Sequence, residues 1–171
     1  MAISVPGLTP TPGPSDPRLG AWRSFIQANA RLLRRLDEEL QAEHHLSLAE
    51  YDALLQLVNA PDRRLRMSVL AERVLLSRSG ITRLVDRLVA AGMVERTACV
   101  TDARGAEAAL TARGLEALRS ASRTHLDGVQ RYFLGLIGDT DRDAIERGCD
   151  QILDELGREA ATASSCTIPG T

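Results

Sequence analysis

Lysine is missing altogether: the 171 residues carry 21 basic side chains, and every one is arginine. Aromatic residues make up only 3%, so a core has to be built mainly from Leu, Ala, Val and Ile. No apolar run approaches the length of a membrane span, and the N-terminus lacks the cationic-then-apolar order of a secretory leader. The cytoplasm is therefore the expected compartment. The three cysteines, Cys99, Cys149 and Cys166, form no C-x-x-C pair and no zinc-ligand spacing, and read as free thiols in a reducing compartment. There is no G-x-S-x-G, H-E-x-x-H, G-x-G-x-x-G or phosphate-binding loop, so nothing marks an enzyme. His44 and His45 have Glu43, Glu50 and Asp52 near them in sequence. Consecutive helical residues diverge by about 100°, however, so the two rings do not share one ion while the helix continues. No metal or cofactor is expected.

What is present is unevenly distributed. The net charge of −2 conceals a basic block from Arg63 to Arg104, with nine arginines (63, 64, 66, 73, 78, 83, 87, 96, 104) against four acids (72, 86, 95, 102). A basic block inside an acidic chain suggests one surface for a polyanion and another that repels it. Arginine suits bidentate contact with phosphate and guanine.

Residues 1–17 hold five prolines and read as an extended or disordered arm. From about residue 18 a helical period takes over through Trp22, Phe25, Ile26, Leu32, Leu33, Leu36 and Leu40, to about Glu43. Ser47-Leu48-Ala49-Glu50 is a capping box that starts a second helix, ended by Pro61. A short helix over 68–74, with Ser68 as its cap, leads through Leu75 and Leu76 into a helix capped by Ser77 and stopped by Gly92. Residues 93–100 and 106–110 read as a hairpin with a turn-rich tip at 101–105. Thr111 caps a long helix to about Ile137, and a last helix follows Gly138-Asp139. The terminal helices have more apolar face than the small middle module can bury, which points to a dimer built from the two ends of the chain.

In the helix capped by Ser77, Ile81, Leu84, Val85 and Leu88 recur at i, i+3, i+4, i+7 and must face the core. Arg78, Ser79, Thr82, Arg83, Asp86 and Arg87 are left on the outer half. Two close helices, the second with a stripe of donors, form a helix-turn-helix whose second helix enters the DNA major groove. At the hairpin tip, Asp102 and Gly105 shape a turn that holds Arg104 outward, suited to a narrow minor groove. The fold class is thus mainly α with a small β-hairpin wing. The winged helix-turn-helix covers about 47–110, and long dimerisation helices cover about 18–45 and 111–160, all within one domain over 18–160. A flexible tail is expected over 161–171. The competing reading is a winged-helix protein-interaction module that never reads DNA. A mixed-sign or apolar outer face would favour it, whereas here Asp86 is the sole acid.

Three stretches, Leu65 to Arg73, Ser77 to Leu88 and Gly92 to Arg96, resemble the MarR (multiple antibiotic resistance regulator) family. The wing at 101–105 and the return through Leu110-Thr111 to Gly114 continue that pattern. The resemblance implies a dimeric transcriptional regulator, most often a repressor on a palindromic operator, released by a small aromatic or phenolic effector. It assigns Ser77, Arg78, Ser79, Thr82, Arg83 and Arg87 to the major groove, Arg104 to the wing tip, and Asp102 to holding that arginine. Trp22, Phe25 and Tyr51, three of five aromatics, lie on helices that line the family's usual ligand cleft. No cysteine stands in the first helix, where the family's hydroperoxide sensors carry theirs, which argues against redox sensing.

Overall fold

The structure is a computed structural model that describes residues 11–98 and 106–165. The wing tip with Asp102 and Arg104, Cys99, Cys166, residues 1–10 of the arm and 166–171 of the tail lie outside the described residues. The chain divides into two compact units, residues 1–126 and 127–171.

The apolar stripe from Trp22 onward lies on α1 (Leu19–His44), which ends where His45 takes a positive φ of 54°. The Ser47 capping box forms in full: the Ser47 N–H and hydroxyl donate to Glu50 Oε2, both at 2.9 Å, and the Glu50 N–H donates back to Ser47 Oγ at 3.2 Å. It opens α2 (Leu48–Val58). A tight turn at Pro61–Arg63, with positive φ at Asp62 and Arg63, leads into β1 (Arg64–Arg66), a strand the sequence does not announce. Three residues are too few for a visible alternation, although Leu65 is buried between two exposed arginines.

That strand displaces the expected start of the next helix. The chain leaves β1 directly into α3 (Met67–Arg73), so Arg66, held in the sheet opposite Glu107, takes the cap position in place of Ser68, and no side chain caps the helix. Leu75 turns the chain with φ 56°, and Ser77 caps α4 (Arg78–Ala90), its Oγ accepting from the Gly80 N–H at 3.1 Å. At the far end Gly92 (φ 70°) donates to the Val89 carbonyl and Met93 to that of Leu88. This is the paired left-handed closure for which a glycine without Cβ is suited.

β2 (Val94–Ala98) and β3 (Ala106–Leu110) pair antiparallel, with Val94 opposite Leu110 and Arg96 opposite Ala108. β3 also pairs with β1, giving a three-stranded sheet in the order β1-β3-β2. Thr111 caps α5 (Ala112–Val129) as expected: it accepts from the Gly114 N–H and donates to the Gly92 carbonyl, which joins the end of α4 to the start of α5. Gly114 lies so close to the Met93 carbonyl and Leu110 that no β-carbon fits there.

In the first unit, Leu40 of α1, Leu54 and Leu57 of α2, Leu70 of α3, and Ile81, Leu84, Val85 and Leu88 of α4 close one core with Val94, Ala108 and Leu118. The i, i+3, i+4, i+7 set of α4 is buried as the periodicity required. In the second unit, a π-helical turn (Gln130–Leu134) interrupts the helix expected to run to Ile137, and α6 (Asp139–Ser165) continues five residues beyond 160. No helix among the described residues is long and apolar enough to cross a membrane.

Candidate nucleic-acid interface

Burial of one face of α4 decides which residues point away from the protein. Ser77, Arg78, Ser79, Thr82, Arg83, Asp86 and Arg87 are all at least partly exposed. Among the described residues no carboxylate pairs with Arg78 or Arg83. The one acid of the stripe is already matched. Arg96 of β2 reaches across to place Nη1 2.7 Å from Asp86 Oδ1, and its Nη2 donates to the Thr82 carbonyl at 3.1 Å. Arg96 therefore neutralises Asp86 and staples the wing strand to α4, a role invisible in the sequence because its partners lie 10 and 14 residues away.

The hydroxyls are not equivalent. Thr82 Oγ1 donates to the Arg78 carbonyl at 2.9 Å, so its proton is spent and only its lone pairs face outward. It suits a base amino group and not a phosphate oxygen. Ser77 and Ser79 share a hydroxyl contact of 3.2 Å beside the helix start. The first turn of α4, with its unpaired N–H groups and Arg78, is a natural place for a phosphate. A cleft of about 630 Å³ runs alongside, between α3, α4 and the sheet, with Arg66, Ser68, Arg78 and Thr82 on its walls.

Arg87 differs from its neighbours. Its Nε donates to Glu50 Oε1 at 2.7 Å, which binds α4 to the first turn of α2. Burial pushes the Glu50 carboxyl up. The Ser47 backbone N–H, the Arg87 guanidinium and the Ser47 hydroxyl more than offset this and hold it below the ordinary carboxylate value. In the sequence Glu50 and Arg87 stand in separate roles, one in a capping box and one on the outer stripe, because nothing local links residues 37 apart.

A second cleft, of about 610 Å³, opens in the first unit between α1, α2 and α5, with Leu33, Arg34, Asp37, Tyr51, Asp52 and His125 around it. Of the three aromatics assigned to a ligand cleft, Tyr51 lines this one, while Trp22 and Phe25 lie about two to three turns away along α1 and are exposed, 59% and 47%. Tyr51 stacks on His125, ring centroids 4.5 Å apart, and its hydroxyl donates to Ser122 at 3.4 Å. His125 Nδ1 is buried with no hydrogen-bond partner; burial lowers the ring's pKa from its ordinary value, with Asp52 pulling weakly the other way. His44, the last residue of α1, places its Nε2 2.8 Å from the Thr124 hydroxyl of α5. Among the described residues no group of His, Cys, Asp and Glu could hold a metal ion.

No curated protein matches the chain. A family model described as the MarR family matches residues 44–105, from the end of α1 to the residue before β3. Among solved structures, the chain is 31% identical to AbsC, a MarR family transcriptional regulator from Streptomyces coelicolor, with a TM-score of 0.79 over 85% of this chain and 98% of AbsC. Sco3205, a MarR family transcriptional regulator of the same organism solved in complex with DNA, is also 31% identical, with a TM-score of 0.80 over 86% and 92% of the two chains. Sco5413, a third from that organism, is 25% identical with a TM-score of 0.64 over 88% and 97%. With a shared fold and 31% identity over most of its length, the chain belongs to the MarR family of transcriptional regulators.

Proposed function

We propose that the protein is a homodimeric repressor that binds a palindromic operator in duplex DNA, with α4 in the major groove and Arg104, held by Asp102, in the adjacent minor groove. The observation that carries this reading is the outer face of α4: Arg78 and Arg83 exposed without carboxylate partners, Ser and Thr between them, and Asp86 already neutralised by Arg96. The solved DNA complex of Sco3205 supports it. A protein-docking face would need apolar area that this stripe does not offer. Duplex titrations test it: the purified protein should bind its own upstream region far more tightly than random duplex, and equal affinity for both would contradict it.

Dimerisation is proposed because each unit leaves apolar side chains in solvent. Trp22, Phe25, Ile26 and Leu33 are exposed on α1, and Ile145, Ile152, Leu153 and Leu156 on α6. Exposed apolar side chains at helical spacing on each of these helices mark an interface. Residues 18–160 would then act as one domain completed by the partner, in the cytoplasm. Sedimentation of the intact chain should give a dimer; a stable folded monomer would contradict it.

A small aromatic effector is proposed for the cleft around Tyr51. Asp37 and Asp52 outnumber Arg34 there, and the buried Nδ1 of His125 lacks a partner. These groups favour a neutral phenol, whose O–H can donate, over a carboxylate. Phenol-type compounds should lower operator affinity, and operator should lower theirs by the same factor. Because Trp22 stands outside the cleft, its fluorescence should change little on binding. Unchanged operator affinity at saturating phenol would contradict an effector role.

A further inference from the structure

We infer that Arg87 serves DNA reading by bracing the fold: its exposed guanidinium, paired with the buried carboxylate of Glu50, sets the orientation of α4 and does not itself contact the duplex. This rests on the DNA-binding reading and deepens it, since Arg87 belongs to the outer stripe by its position alone.

Glu50 is the one charged side chain buried among the described residues, at 7% exposure. A carboxylate withdrawn from water needs its partners in good geometry, and removing one leaves an uncompensated charge. Oε2 takes two donors from Ser47, and Oε1 takes Arg87 Nε at 2.7 Å. The turn carrying Glu50 is itself fixed, because the Leu48 N–H donates to Asp37 Oδ1 of α1 at 2.7 Å. A rigid chain of bonds thus runs from α1 through the first turn of α2 to Arg87. Arg83 lies one turn away on α4, so a rotation released at Arg87 moves Arg83 directly. The guanidinium is engaged through its Nε, which directs its plane as a point charge would not.

The test uses Glu50→Gln, Arg87→Gln and the double variant. Glutamine at position 50 retains the capping box but removes the charge that holds Arg87. Each single variant should remain a folded dimer and bind operator about tenfold more weakly. Random duplex binding should be nearly unchanged, so that the ratio of specific to non-specific affinity falls. The slope of log affinity against log salt should stay at the wild-type value, and the double variant should be no worse than the worse single. Direct phosphate contact predicts otherwise: Arg87→Gln would lower the slope by about 1.8 for two contacts per dimer, and Glu50→Gln would bind as wild type. Either result overturns the inference. If Glu50→Gln fails to fold, the Arg87→Gln slope and specificity ratio decide alone. A wild-type protein without operator preference would instead remove the DNA reading on which this stands.

Discussion

The turn between α3 and α4 stores strain that one substitution should release. Leu75 takes φ 56° and is 91% exposed. In that region the β-carbon crowds the following carbonyl, at a cost of about 1–2 kcal/mol for an L-residue, and no burial of the side chain offsets it. Glycine removes the crowding, but its freer unfolded chain returns about 0.5–1 kcal/mol of the gain. Leu75→Gly should therefore stabilise the protein by roughly 0.5–1 kcal/mol, the difference between these two effects. For a chain of this size that is an increase in Tm of about 1–4 °C. The assay is thermal unfolding at one fixed protein concentration, since a dimer's Tm moves with concentration. Leu75→Ala is the control, because alanine keeps the β-carbon and should show no such gain. A lower Tm for Leu75→Gly would refute the reasoning, and would mean that the leucine is covered by a partner surface that compensates its conformation.

Gly114→Ala should destabilise the protein by about 1–3 kcal/mol or more, the usual cost of overpacking, because its β-carbon would run into the Met93 carbonyl and Leu110; an unchanged Tm would mean that the start of α5 shifts freely. Burial favours the neutral His125 ring in the folded protein, so its contribution to stability is complete above pH 6.5 and is lost as the pH falls from there through the lowered folded value. Between about pH 7.5 and 5.5 the wild type should accordingly show a larger drop in Tm than His125→Gln; parallel drops would show that the ring titrates as it does in the unfolded chain.

Much of this architecture is written in local pattern. The capping box at Ser47 and Glu50, the cap at Ser77 and the left-handed Gly92 each act within a few residues, and each is found where local chemistry put it. The buried set of α4 follows from a 3.6-residue period, and its outer stripe follows by subtraction. Whatever depends on partners distant in the chain stays hidden. β1 exists because β3 pairs with it, and its arrival removes Ser68 from the cap position. The ties of Arg96 to Asp86 and Thr82, and of Arg87 to Glu50, depend on how α4 lies against the wing and α2. Tyr51 and His125 are likewise far apart in the chain, so the cleft they form is not legible, and only Tyr51 of the three expected aromatics lines it.

The most direct test of the DNA-reading claim is a binding-site selection on wild type and Arg83→Ala. Arg83 stands one turn after Ser79 and one before Arg87, exposed and free of carboxylate partners among the described residues. The wild type should select an inverted repeat with half-site centres about 10 base pairs apart, or a multiple of that. Arg83→Ala should cost about 1–3 kcal/mol for each bidentate arginine–guanine pair it removes, and relax the preference at one symmetric base pair in each half-site. Selection of the same sequence with undiminished preference by both proteins would contradict the claim that this face of α4 reads DNA.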